Sequence, residues 1–177
     1  ILSTAMTTVI GQSAGVLSAM RQQQAIALGG DRYATFVQMN EEQAEALQND
    51  PRLSYTGVSV SLGTVELSRA LHLDLIEFRD GSGEIFPSFT RLREGRLPER
   101  AMEIALPEDA LRLMGVEGKV GDTITLTAAK TLRHGVETEE LTYQANFILT
   151  GITESNYMGY AAGIVCGIVG EGTAEQV

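Results

Sequence analysis

The pentapeptide Gly11-Gln12-Ser13-Ala14-Gly15 matches the G-x-S-x-G pattern that presents a serine hydroxyl on a sharp strand-to-helix turn. A hydrolase of that kind builds several strands and an oxyanion loop upstream of its nucleophile, and ten residues precede Gly11. In a chain with 19 glycines the short pattern is expected by chance. A serine hydrolase acting through Ser13 is therefore a distant alternative, with His72 and His134 the two available bases, neither in a recognisable setting. His72 and Asp74 stand two apart on one strand face near Glu66, but two ligands do not make a metal site. Glu137, Glu139 and Glu140 read as a solvated charge run at a hairpin tip. The sequence carries neither G-x-x-x-x-G-K-[ST] nor a G-x-G-x-x-G between strand and helix. No catalytic residue, metal or cofactor is expected.

Two groups of side chains are better suited to touching a partner than to chemistry. Arg91, Arg93, Arg96 and Arg100 could grip an acidic partner or lipid headgroups through bidentate contacts, although Glu94 and Glu99 among them favour a solvated loop. Tyr157, Met158 and Tyr160 combine residue types enriched at interfaces, and could equally be core residues at a strand entry.

With 177 residues, 44% of them hydrophobic, the chain can bury a sizeable core. Its 23 acidic against 13 basic side chains give a net charge of -10, which opposes binding to a phosphate backbone and excludes nucleic acid as the expected partner. The single cysteine, Cys166, allows neither an intrachain disulfide nor a cysteine metal cage. Because it opens on Ile1, the chain reads as a piece of a longer polypeptide.

Residues Ile1 to Met20 carry no charge, and Leu2, Met6, Val9, Val16, Leu17 and Met20 recur at helical spacing. With Ser, Thr, Gln and Gly making up nearly half of it, the stretch falls short of a full membrane span and reads as the last turns of one. One long helix should run to Leu28 and stop at Gly29-Gly30. Asp31 to Met39 alternates like a strand. Asn40-Glu41-Glu42-Gln43 has the form of a capping box, so a short helix should follow to about Gln48. Strand-like pieces surround Gly57 and Gly63, and Leu71, Leu73 and Leu75 alternate with polar residues. Asp80-Gly81-Ser82-Gly83 is a turn and marks a boundary between lobes. Beyond it, Glu103 to Leu106 is a strand and a helix follows Pro107 and closes at Gly115. Thr123 to Thr127 is a strand with Ile124 and Leu126 on one face, and Leu141 to Ile152 is a long one with Tyr143, Phe147 and Leu149 together. Gly159, Gly163 and Gly167 repeat every four residues in an uncharged run too short to span a bilayer, so Ile164 to Val169 is expected as a buried strand.

The segments Glu94-Gly95-Arg96-Leu97-Pro98, Glu103-Ile104-Ala105-Leu106, Gly118-Lys119-Val120-Gly121-Asp122-Thr123-Ile124 and Phe147 to Ile152 resemble the core of the MacB-like periplasmic domain. In that family a G-R-x-P … E-I … L-G … G-D-x-I … G-I progression is common, and the uncharged start resembles the end of the first transmembrane helix of an FtsX-like ABC permease. The resemblance implies an α+β fold of two lobes after the long N-terminal helix. Residues 1–30 would continue from a membrane span, 31–79 with 153–177 would form an α/β lobe like those of efflux porters, left half built, and 80–152 a β-rich lobe. It also implies an extracytoplasmic, non-enzymatic domain on the cell membrane that couples ATP hydrolysis inside the cell to movement or release of a substrate or partner outside. The implied partners are the transmembrane part of the same permease, a separate cytoplasmic ABC ATPase, a second permease copy, and an extracellular peptide, lipid or lipoprotein. The alternative is an extracellular sensor whose acidic surface attracts cationic peptides.

Overall fold

A computed structural model describes residues 15–26, 30, 32, 34–37, 39–134, 137–161 and 163–177, with the side chains of residues 133, 134, 137, 157, 158 and 164 set aside. Its organising element is a hairpin of two long antiparallel strands, β1 (Val58–Ser68) and β2 (Leu71–Arg79), rich in Val, Leu, Thr and Ser at alternating positions. Four further strands, β4 (Glu103–Pro107), β5 (Thr123–His134), β6 (Glu137–Thr153) and β7 (Ile164–Val169), close a ring with them in the order β6-β4-β7-β2-β1-β5 and back to β6. The short β3 (Leu92–Gly95) pairs with the end of β6 from Gly151 to Thr153, beyond the point where β5 leaves it at Ile148. Closure abolishes most of the open edges that a flat sheet would present.

The barrel is filled from all six strands. Leu62, Leu73, Leu75, Ile104, Leu106, Phe147, Leu149 and Val169 are at most 2% exposed, and they interdigitate with Ile124 and Leu126 and with Ala110 and Leu111 of α4 (Glu108–Leu113). Burying a Leu, Ile or Phe side chain contributes about 1.5–3 kcal/mol each, so this interior supplies most of the fold's stability. Outside the barrel wall a smaller apolar layer forms. After β2 the chain turns at Asp80 and Gly81, both with positive φ, and folds back through a 3₁₀ turn (Ser82–Ile85) and α3 (Pro87–Thr90). Phe86 thereby stacks between Phe78 (5.2 Å) and Phe89 (5.9 Å), over Cys166 and Ile168 of β7. β7 is thus covered on both faces, which is why its sequence carries no charge.

The expected α+β architecture of two lobes is corrected by this topology. The described residues are mainly β, 41% strand and 25% helix, built on one closed six-stranded barrel. The turn at Asp80–Gly83 separates no lobes, because β2 on one side of it and β4 to β7 on the other share a single ring. The physical reason is pairing between distant segments: β2 with β7 in parallel and β1 with β5 in antiparallel, which no local composition shift announces. The expected long N-terminal helix does not define the fold either. Helical residues 15–26, here α1, stand almost wholly exposed, and the earlier part of that expectation lies outside the described residues. Residues 34–37, read as part of a strand, are exposed and belong to none. The capping box forms as expected: Gln43 N–H donates to Asn40 Oδ1 (2.8 Å), Asn40 N–H donates to Gln43 Oε1 (3.1 Å), and α2 (Glu41–Gln48) follows.

Candidate functional site

The segments that carry the resemblance lie far apart in the sequence and meet on one stretch of β6. Gly95 pairs with Gly151, Ile104 with Leu149 and Leu106 with Ile152. Arg96 N–H donates to Thr150 O (2.9 Å), Gly121 N–H to Leu149 O (2.7 Å), and Leu149 N–H to Asp122 O (2.9 Å). Gly95 has φ +75°, and a Cβ there would collide with the Thr150 carbonyl and lie 3.1 Å from Gly151 Cα, so no other residue fits without strain.

The loop from Arg96 to Glu103 is held by one carboxylate. Arg96 donates to both oxygens of Glu103, Nη2 to Oε1 at 2.6 Å and Nη1 to Oε2 at 2.8 Å, and the backbone N–H groups of Glu99 (2.9 Å) and Arg100 (3.2 Å) add to Oε2. The Arg96 guanidinium above all, aided by those N–H groups, outweighs burial and holds the Glu103 carboxyl at about 2. The arrangement is a structural latch, with its charge spent inside the loop.

The other arginines are likewise engaged along the surface. Arg91 reaches Glu154 (3.5 Å), and Arg93 is hydrogen-bonded to Glu108. Among the described residues the Arg100 side chain alone of the four holds no carboxylate, while its backbone serves the latch. The four do not converge on one patch: two of them tie β3 and the residue before it to α4 and to the end of β6. Tyr160 packs against the barrel core, and its hydroxyl is buried, its pKa pushed up to about 12 by burial and the nearby Asp109 carboxylate. The side chains of Tyr157 and Met158 lie outside the described residues.

Ser13 lies outside the described residues, as does the side chain of His134. His72 pairs across the hairpin with Glu66, and both are exposed; Asp74, half-buried beside Cys166, has its carboxyl raised by burial against the lowering pull of His72. No group of three or more metal-ligating side chains occurs among the described residues. The Cys166 thiol is buried and pushed up by that burial, which makes it inert. Glu77, fully buried, accepts from Arg79 Nε (2.6 Å) and from Ala174 N–H (2.8 Å); burial raises its carboxyl, but these donors and Gly172 N–H bring it below its ordinary range and tie down the C-terminal turn.

One feature gave no signal in the sequence. β1 and β5 complete the ring through a single bridge, Thr64 with Ala129. Gly63, at φ +117°, lets the strands touch there, since a Cβ would come within 2.5 Å of Ala129 O. On one side of the bridge, Tyr143 Oη reaches across from β6 and donates to Leu62 O (2.8 Å). On the other side the strands part and leave a groove of about 710 Å³. Its floor is the buried Val65, Leu126 and Ala128, and Leu113, Met114 and Val116, from the end of α4 and the loop after it, also line it. Its rim carries Glu66, His72 and Glu140, and neither Lys nor Arg lines it. No protein-family model matches the chain, and no curated protein matches it.

Proposed function

We propose that residues 1–177 are the extracytoplasmic body of an ABC-transporter permease of the FtsX/MacB type, a coupling module with no chemistry of its own. The observation that carries this reading is the convergence on β6: Gly95-Arg96, Glu103-Ile104, Gly121-Asp122 and Gly151-Ile152 form one hydrogen-bonded unit, so the resemblance rests on residues that serve each other. The two-lobed architecture drawn from the same resemblance is not part of the proposal. A barrel is suited to the role, because a closed ring with a packed interior moves as a single body.

The entry to that body supports the same reading. α1 exposes Val16, Leu17 and Met20, each by more than half, and the buried Gly30 donates its N–H to Ile26 O (2.9 Å) and lies against Phe86. Arg32 then lies over the Phe86 ring, 5.2 Å from its centre. A displacement of α1 would reach β2 and β7 through the Phe78, Phe86 and Phe89 stack. No helix among the described residues is long and apolar enough to cross a membrane. In this reading the spans belong to the rest of the permease and the ATPase to a separate subunit. Inserting a flexible Gly/Ser linker after Met20 in the complete permease tests the reading. ATP hydrolysis should continue while transport is lost; transport at the original rate would contradict it.

A further inference from the structure

We propose that the groove between β1 and β5 accepts an extended, cationic peptide segment as an added β-strand. This goes beyond the transporter reading and does not depend on it. Past the Thr64 and Ala129 bridge, β1 continues through Val65 to Ser68 and β5 runs from Thr123 to Ala128; among the described residues these stretches pair only with β2 and β6 respectively. Each strand therefore turns one row of backbone N–H and C=O groups toward the groove without a strand partner, the arrangement that captures an extended chain. At about 3.3 Å per residue, the free stretch of β1 spans roughly 13 Å, room for four residues of an added strand.

The side chains of the groove select the occupant. Val65, Leu126 and Ala128 offer an apolar floor to the alternate residues that point inward. The outward residues meet Glu66 on one rim and Glu140 on the other, with His72 beside Glu66 and the threonines Thr125, Thr127 and Thr142 between. The nearest cation on these strands, Lys130, directly follows Ala129 and is not among the residues that line the groove. With the chain's net charge of -10 behind this rim, an approaching basic segment is attracted and an acidic one repelled. The occupant is thus a segment alternating basic and small apolar residues.

The test uses the whole chain and the acetylated, amidated hexapeptide Lys-Val-Lys-Val-Lys-Val, titrated by calorimetry at low and physiological ionic strength. Binding is expected, with slowed hydrogen exchange at amides within Val65–Ser68 or Thr125–Ala128. A copy of the peptide N-methylated on alternate residues keeps its charge and loses its strand hydrogen bonds, and should bind at least about tenfold more weakly. A Glu-Val counterpart should not bind, and the double variant E66Q/E140Q should weaken the cationic peptide roughly three- to tenfold. No binding, equal binding of the methylated copy, or protection of the same amides by self-association without peptide would each overturn the proposal.

Discussion

Arg96 and Glu103, seven residues apart, close their loop through two hydrogen bonds between the guanidinium and the two carboxylate oxygens, at 2.6 and 2.8 Å. Two backbone N–H groups converge on the same carboxylate, so Glu103 organises the loop, the start of β4 and the edge of β6 together. Its carboxyl sits at about 2 in the folded chain against 4.5 ordinarily. A group depressed in this way stabilises the fold fully above its unfolded value and loses that contribution as pH falls through the folded one.

Glu103→Gln should therefore lower stability at neutral pH by about 1–2 kcal/mol, a figure kept modest because the Arg96 side chain is 46% exposed and solvent screens the pair. Below the folded value the variant and the parent should converge. Urea unfolding across the window from 4.5 down to about 2 checks this, and parallel curves for the two proteins would refute it.

Gly95→Ala places a methyl group against the Thr150 carbonyl in a backbone region that disfavours any side chain. The substitution should cost roughly 2 kcal/mol or more. The loss should be felt first at β3 and the end of β6, seen as faster hydrogen exchange there while the β1–β2 hairpin keeps its protection.

Tyr143→Phe removes the hydroxyl that serves the Leu62 carbonyl next to the β1 and β5 bridge. Leaving that carbonyl unsatisfied should cost about 1–2 kcal/mol. Exchange at Gly63 and Thr64 should quicken more than at β4 or β7; a uniform change across the barrel would mean that Tyr143 does not help to close this seam.

What could be read in the sequence was local. The alternation of Ile124 and Leu126 against Thr123, Thr125 and Thr127, and that of Tyr143, Phe147 and Leu149, put the right residues inside because period-2 burial is written into each strand. Asn40 and Gln43 announced α2 because a capping box is made of neighbours. The ring was not legible, since it depends on pairing His72 with Ile164 and Thr64 with Ala129 across long separations that leave no compositional mark. Arg91 to Arg100 read as a solvated loop or, less readily, a contact surface, because charge spacing does not reveal where a carboxylate will fold back; Glu103, Glu108 and Glu154 engage three of the four. The groove is a consequence of incomplete closure, so it exists only at the level of the assembled barrel.

The proposed role puts this barrel outside a membrane, carried by a permease of which it would be part. Its most direct test is to express the complete natural polypeptide in its own cells, wash the membranes with alkaline carbonate, and expose intact cells, their outer layers opened, to protease. The polypeptide should stay with the membrane and the barrel should be cut from outside the cell. Release into the wash, or cleavage only after the cells are broken open, would contradict it.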